Sequence, residues 1–82
     1  MKSIKLDEYT PDMGVLISLV DPEDYKPIKG SINMKLSKLL DNPRKYLDKD
    51  KTYYFYCLQG TRSRRAVQIL SVYGFNAVKV TV

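Results

Sequence analysis

The chain has 82 residues, 44% of them hydrophobic, and a formal net charge of +5. This length fits one small domain with one hydrophobic core, so we take residues 1–82 as a single domain. One cysteine and no histidine exclude an intrachain disulfide and leave too few ligands for a structural zinc site. The carboxylates show no metal-binding spacing, and the sequence predicts neither a metal nor another cofactor.

The N-terminus has no apolar segment typical of a signal peptide, and the longest aliphatic run, Val15 to Val20, is too short to span a bilayer. A lone cysteine fits a reducing compartment. We therefore predict a cytoplasmic protein with no membrane contact. The positive charge favours anionic partners, but the lysines are spread along the chain and no nucleic-acid motif is present, so nucleic acid is not an expected partner.

The first half of the chain predicts a strand, a turn and helix. The β-branched and leucine-rich run Val15 to Val20 is typical of a strand covered on both faces of a parallel sheet. Turn residues follow, with a helical turn starting at Pro22. A bend at Gly30 leads into a brief strand. The next segment predicts helix interrupted near Asn42 and Pro43, where Asn42 caps a second short helix.

The second half predicts a strand, a helix and a strand. Aromatic residues dominate Thr52 to Cys57, which we read as the clearest strand. Apolar residues recur at helical spacing over Arg62 to Tyr73, and Gly74 fits a helix stop. Ala77 to Val82 is the last strand. About 20 residues between two strands indicate a βαβ unit, so the predicted fold is α/β, a small central parallel sheet flanked by helices.

The lone Cys57 lies where the predicted strand turns into the predicted helix. Such a turn presents unpaired amide N–H groups, and the helix dipole adds positive charge, so we expect the pKa of the thiol to be lowered. Gly60 allows a tight curl, and three arginines at 62, 64 and 65 add positive potential around the cysteine. For Arg64 and Arg65 an ordinary solvated surface position explains the sequence at least as well. The alternative is that Cys57 is a small hydrophobe buried at a strand end.

The segment CLQGTRS, Cys57 to Ser63, resembles the C-x-x-G-x-R-S active loop of the rhodanese (sulfurtransferase) family. The stretches LISLVDPEDY, IKGSIN (Ile28 to Asn33) and AVQILSVYGFNAVKV also resemble parts of that family's pattern. The similarity extends from about Val15 to the C-terminus. It implies a single rhodanese-like domain.

The resemblance implies that Cys57 is the catalytic residue and takes a sulfur from a small anionic sulfur donor such as thiosulfate, forming a persulfide. The implied substrate-binding residues, whose amides would hold the terminal sulfur, are Leu58, Gln59, Gly60, Thr61, Arg62 and Ser63. No second cysteine is present. The sulfur would therefore pass to an external thiol, cyanide or a protein acceptor.

The sequence departs from the family pattern at three places. Ser18 to Val20 stand where Asp-x-Arg is usual, and Lys26-Pro27 stand where Gly-His is usual. The sequence reaches Val82 without the usual Gly-Gly and final helix, so the predicted fold is C-terminally short. An apolar sheet face exposed there would predict a homodimer. These departures keep open a non-catalytic module that binds sulfur or docks a protein.

A cysteine phosphatase is the weaker alternative. Phosphatases of this kind need Cys-x5-Arg, but position 63 is Ser, and Arg62 and Arg64 lie one residue to either side of that register. No acid is placed to protonate a leaving alkoxide. An arsenate reductase shares only the nucleophile and would need a relay cysteine.

Overall fold

A computed structural model describes residues 1–26, 28 and 30–82. Within these residues five strands form one sheet: β1 (Ser3–Lys5), β2 (Val15–Ser18), β3 (Ser31–Asn33), β4 (Thr52–Tyr56) and β5 (Asn76–Thr81). The strand order is β1-β5-β4-β2-β3, and neighbouring strands are parallel. The α-helices are α1 (Leu36–Asp41), α2 (Pro43–Tyr46) and α3 (Thr61–Val72), and short 3₁₀ helices cover Leu6–Glu8, Pro11–Met13 and Pro22–Asp24. The predicted α/β fold with a central parallel sheet is confirmed.

The helices cover one face of the sheet. Successive strand residues point to opposite faces, so Ile17 and Phe55 meet the helical layer while their neighbours face the other way. Leu39 of α1 and Leu70 of α3 are fully buried against them. Cys57 belongs to this same cluster. Burial on both faces explains why β2 and β4 read as continuous apolar runs.

The other face is covered by the N-terminal part of the chain. Ile4, Leu6 and Tyr9 pack against a second cluster that contains Leu16 and Tyr54, which are both buried. This apolar face of the sheet, whose exposure would predict a homodimer, is therefore covered by the described N-terminal residues. A homodimer through this face would have to displace the N-terminal segment, and the dimer stays a prediction for gel filtration.

The boundaries of the elements agree with several sequence predictions. The second helix begins at Pro43, but the Asn42 side chain makes no capping hydrogen bond. Gly74 has φ +90°, and the Phe75 amide donates to the Leu70 carbonyl, which ends α3 as predicted. Pro27 and Lys29, which fall within the predicted turn and the IKGSIN stretch, lie outside the described residues.

In the part of the chain that the structure describes, no helix combines the length and the apolar character needed to cross a bilayer.

Candidate active site

Cys57 lies directly after β4, at the edge of the sheet where the parallel strands end. Because β2 and β4 are hydrogen-bonded neighbours, the residues that follow β2 arrive beside the cysteine. The Leu19 amide donates to the Tyr56 carbonyl at 2.7 Å, which continues the pairing beyond the strand end. The sheet therefore places two chain segments around one sulfur atom.

The Cys57 sulfur accepts hydrogen bonds from the amides at the start of α3. The Gly60 amide nitrogen lies 3.1 Å from Sγ, and the Ser63 amide nitrogen lies 3.3 Å from it. The first hydrogen bond inside the helix runs from the Arg64 amide to the Gly60 carbonyl, so the preceding helical amides have no carbonyl partner in α3. No conventional side-chain cap is present. The sulfur takes the place of the capping oxygen.

Gly60 gives the loop its shape. Its φ of +82° lies in the left-handed region, where a side chain is strained. This conformation turns the Gly60 N–H back toward the sulfur three residues earlier. The glycine of the CLQGTRS segment is therefore required by backbone geometry.

These contacts set the ionisation of the thiol. Burial raises the pKa of Cys57. Hydrogen bonds from the Ser63 hydroxyl and from the amides of Ser63, Gly60 and Arg62 lower the pKa, and together they outweigh burial, so the pKa lies below its ordinary value. The positive end of the α3 dipole acts in the same direction. The predicted lowering of the pKa is confirmed, with Gly60, Arg62 and Ser63 as its sources.

The Ser63 hydroxyl has two alternative acceptors. Its oxygen is 3.4 Å from Cys57 Sγ and 3.2 Å from the Gly60 carbonyl oxygen. With a protonated thiol, the S–H donates to Ser63 while the hydroxyl donates to Gly60. With a thiolate, the single hydroxyl proton turns to the sulfur, because the sulfur has become the stronger acceptor.

Cys57 is one of the residues that line a pocket of about 240 Å³. We call Cys57 with the Gly60 and Ser63 amides that contact its sulfur the floor, and the charged lining residues Asp21, Asp24 and Arg62 the mouth. Cys57 is only 4% exposed, whereas its neighbour Leu58 is 61% exposed at the rim. The residues that line the pocket are Val20, Asp21, Asp24, Cys57, Leu58, Gln59, Thr61 and Arg62. The six residues predicted to bind substrate thus lie at this site, four lining the pocket and two, Gly60 and Ser63, contacting the sulfur.

Comparison with known proteins agrees with this geometry. A family model for the rhodanese-like domain matches residues 5–81. The chain belongs to the rhodanese-like domain family. No curated protein sequence matches it.

Solved structures similar to this rhodanese-like domain cover nearly all of it. A Staphylococcus saprophyticus protein has a TM-score of 0.85 at 28% identity over 98% of this chain and 86% of its own. A rhodanese-related protein from Thermoplasma volcanium has a TM-score of 0.82 at 33% identity over 98% of this chain and 83% of its own. An NAD-dependent persulfide reductase from A. fulgidus has a TM-score of 0.75 at 25% identity, over 96% of this chain and 14% of its own.

Arg62 of this rhodanese-like domain is held by the segment after β2. Its Nη1 donates to the Leu19 carbonyl at 3.0 Å and to Asp21 Oδ1 at 3.1 Å, and Nη2 donates to Asp21 Oδ2 at 3.4 Å. Asp21 therefore orients the loop arginine although Ser18 occupies the usual aspartate position. A guanidinium held in this way does not replace the arginine of a phosphatase loop, which has to grip the phosphate itself.

The mouth of the pocket differs from the sequence prediction. Arg64 and Arg65 are exposed on α3 and do not line the pocket. The lining contains Asp21 and Asp24, and Arg62 is already paired with Asp21. Of the three arginines only Arg62 lines the pocket, and the exposed Arg64 and Arg65 fit the alternative of a solvated surface, because successive helix positions point in different directions.

Two features of the site were missed by the sequence analysis. A β-carbon on Gly60 would lie 3.3 Å from Lys79 Nζ, so the Lys79 ammonium approaches the loop from β5. The turn Pro22–Asp24 brings oxygens of Asp21, Glu23 and Asp24 within 4.8 Å of one another, although we had assigned no metal spacing there. All three carboxylates are exposed, and such groups are common on surfaces without an ion. Both features depend on tertiary packing.

Proposed function

We propose that this domain is a sulfurtransferase that carries sulfur as a persulfide on Cys57. The observation that carries the proposal is the Cys57 sulfur, which accepts the Gly60 and Ser63 amides while it lines an open pocket. A thiolate in this position is stabilised by the two amides and lies at the pocket. A reducing cytoplasm, which the lone cysteine suggests, would keep it ready to react.

The proposed reaction has two steps. In the first, the Cys57 thiolate attacks the outer sulfur of thiosulfate, so that a bond to that sulfur forms, the S–S bond of thiosulfate breaks, and sulfite leaves with the bonding electron pair. In the second, cyanide or an external thiolate attacks the terminal sulfur of the persulfide, and Cys57 leaves as a thiolate. The proposed reaction has no general base, because the lowered pKa of Cys57 increases the fraction of thiol that is present as the thiolate nucleophile.

The loop amides have a further role in this proposal. The terminal sulfur of a persulfide carries negative charge, and amides already oriented toward Sγ need little rearrangement to stabilise it. The persulfide reductase among the structural relatives supports the assignment to sulfane-sulfur chemistry. The acceptor has to be external, because the chain has one cysteine.

The second candidate is a non-catalytic module that binds sulfur or a protein. The small exposed fraction of Cys57, 4%, favours it, because a donor has little of the thiol surface to approach. The exposed Leu58 beside it offers an apolar contact for a partner. This candidate predicts that no donor leaves sulfur on Cys57.

Intact-mass measurement after incubation with thiosulfate tests the two candidates. We expect the protein to gain one sulfur atom, and cyanide to remove it as thiocyanate. Cys57→Ser should gain none, and its hydroxyl oxygen still offers an acceptor to the loop amides, so the fold should persist. An unmodified wild-type mass with every sulfane-sulfur donor would contradict the sulfurtransferase proposal.

A double variant separates site chemistry from general thiol reactivity. Cys57→Ser combined with Ser71→Cys moves the single thiol to an exposed position on α3. We expect this variant to gain sulfur at least about 100-fold more slowly than the wild type, since removing the preorganised donors of a comparable anion site costs a factor of that size. Equal rates would show that the loop contributes nothing.

A further inference from the structure

A second depression lies at the end of the sheet where β4 begins, opposite the end that carries Cys57. Its volume is about 670 Å³, and four cations line it: Arg44, Lys45, Lys49 and Lys51. A neighbouring depression of about 460 Å³ shares Phe75 with the first and adds Lys2. We call the two depressions together the basic groove.

The charge of the basic groove is positive after every nearby carboxylate is counted. Five cations line it, whereas Asp48 is its one acidic lining residue among the described part of the chain. Asp41 and Asp50 adjoin it in sequence, and Asp12, which binds the Thr10 hydroxyl, precedes β2. Within residues 1–26, 28 and 30–82, none of these four carboxylates forms an ion pair. The cations therefore remain in excess and are available to a ligand.

Two of the lysines lie over aromatic rings. The Lys45 Nζ is 5.6 Å from the centre of the Tyr46 ring, and the Lys49 Nζ is 5.4 Å from the centre of the Phe75 ring. Both lysines are exposed, so their aliphatic stems cover the apolar surface while the ammonium groups face the solvent. The basic groove therefore offers positive charge and apolar contact together.

The turn between α2 and β4 holds the lysines in place. The Asp48 amide donates to the buried Tyr53 hydroxyl oxygen at 2.7 Å, and the Asp50 amide donates to Asp48 Oδ1 at 2.9 Å. On the other side, Asn76 Nδ2 donates to the Lys49 carbonyl at 3.2 Å. Because the backbone is already fixed, a ligand that binds here pays little for ordering the turn.

We propose that the basic groove is a docking surface for an acidic segment of another protein. Carboxylates of the segment pair with the ammonium and guanidinium groups, and its apolar side chains contact the lysine stems and the exposed Tyr73 beside the groove. An extended segment of about eight residues spans the 25 Å breadth of the molecule. The inference does not rest on the proposed function, since the length of β4 separates the groove from Cys57.

Three other occupants fit the basic groove less well. Single-stranded nucleic acid binds by stacking its bases on open aromatic faces, but Phe75 is 5% exposed and the Lys49 ammonium lies over its ring. A bilayer surface contacts protruding side chains, whereas the groove is concave. A second copy of this chain has the same net charge of +5, so two copies repel each other.

Fluorescence anisotropy of a labelled peptide tests the proposal. The probe has about ten residues, glutamates interspersed with leucines, so that it spans the groove. We expect the wild type to bind it at low ionic strength and to release it as salt is added. Lys45→Gln combined with Lys49→Gln should weaken the affinity about tenfold, the size expected for two partly screened surface charges. Absence of binding to the wild type would overturn the proposal.

Lys26→Gln combined with Lys35→Gln is the matched control. It removes the same charge from two exposed lysines at the Cys57 end of the sheet, where Lys26 lines a depression with Leu58 and Lys35 lines one with Arg62. The control should keep the wild-type affinity. An equal loss in both double variants would show that the net charge of the protein, and not the basic groove, attracts the peptide, and would overturn the proposal.

Three further measurements decide the occupant and the place of binding. Saturating peptide should leave the rate of Cys57 alkylation by iodoacetamide unchanged, and a slower rate would move the peptide to the other end of the sheet. Single-stranded DNA and vesicles of anionic phospholipid should bind more weakly than the peptide. Tighter binding of either, lost in the Lys45 and Lys49 variant, would overturn the proposal, as would self-association in gel filtration that this variant abolishes.

Discussion

The floor and the mouth of the Cys57 pocket are built from different parts of the chain and offer different polar groups. The floor comes from consecutive residues of one loop, whose amides of Gly60 and Ser63 point at the sulfur. The mouth joins that loop to a segment 41 positions earlier, through Arg62 and Asp21. The comparison shows that the contacts to the sulfur come from residues close together in the sequence, whereas the charged groups of the mouth are assembled by the tertiary structure.

Gly60→Ala should have the largest effect on the amide contacts to the Cys57 sulfur. A β-carbon at φ +82° is strained, which costs about 1–2 kcal/mol if the loop is kept, and relaxation of the loop turns the Gly60 amide away from the sulfur. We expect the rate of sulfur uptake to fall about 100-fold, as for loss of a preorganised donor to a developing anion. Intact mass over time measures the rate.

Gly74→Ala is a close structural control for that change. Gly74 has φ +90° at the other end of α3, and its β-carbon would lie 3.4 Å from Lys49 Nζ, much as the one on Gly60 would lie 3.3 Å from Lys79 Nζ. The two variants should lose similar free energy of unfolding in urea, but only Gly60→Ala should lose reactivity. Equal losses of reactivity would mean that stability, and not the loop amide, limits sulfur uptake.

Ser63→Ala should have an intermediate effect on the floor. The hydroxyl hydrogen bond lowers the pKa of Cys57, so its removal raises the pKa and leaves less thiolate at neutral pH. Alkylation by iodoacetamide should slow about tenfold near neutrality, which corresponds to about 1.4 kcal/mol, close to the value of a hydrogen bond to a charged group.

The pH profile identifies the cause of that change. The alkylation curve of Ser63→Ala should be displaced to higher pH and should approach the wild-type rate in alkaline solution, where both thiols are ionised. Ser71→Ala, an exposed position on the same helix, should follow the wild-type curve. A Ser63→Ala curve with an unchanged midpoint would show that the hydroxyl does not stabilise the thiolate.

Two substitutions at the mouth should change the rate of Cys57 alkylation by a charged reagent in opposite directions, and by less than the substitutions at the floor. Asp21→Asn removes a negative charge and releases the Arg62 guanidinium, so the rate of Cys57 alkylation by anionic iodoacetate should rise about threefold or more relative to the rate with neutral iodoacetamide. Arg62→Gln leaves the Asp21 carboxylate unpaired, so this relative rate should fall. Because the ion pair is half-exposed, either change should cost no more than about 1 kcal/mol of stability. Changes of the same sign would contradict our account of the mouth.

Much of the fold was readable from local patterns. Patterns within about a dozen neighbouring residues predict the aromatic strand before Cys57 and the amphipathic helix that stops before Gly74. Both elements are present. β1 was not predicted, because three residues, Ser3–Lys5, carry too little pattern, and their strand character comes from pairing with β5. The covered second face of the sheet was missed for the same reason.

The site divides in the same way. The loop geometry around Cys57 follows from Gly60 and the start of α3, so the amide contacts were predictable. The pairing of Arg62 with Asp21 and the place of Asp24 in the pocket depend on β2 lying beside β4, which sequence spacing does not reveal. Arg64 and Arg65 do not line the pocket, because their positions on α3 point their side chains in other directions.

The acidic residues of the mouth lie on or beside a 3₁₀ turn, Pro22–Asp24, that contains no buried residue. Substitutions there leave the interior intact and carry little penalty for folding. The charges of the mouth can therefore be changed by substitution while the Cys57 loop and the interior stay constant. If the proposed function is correct, this turn is the place to alter which donors the domain accepts.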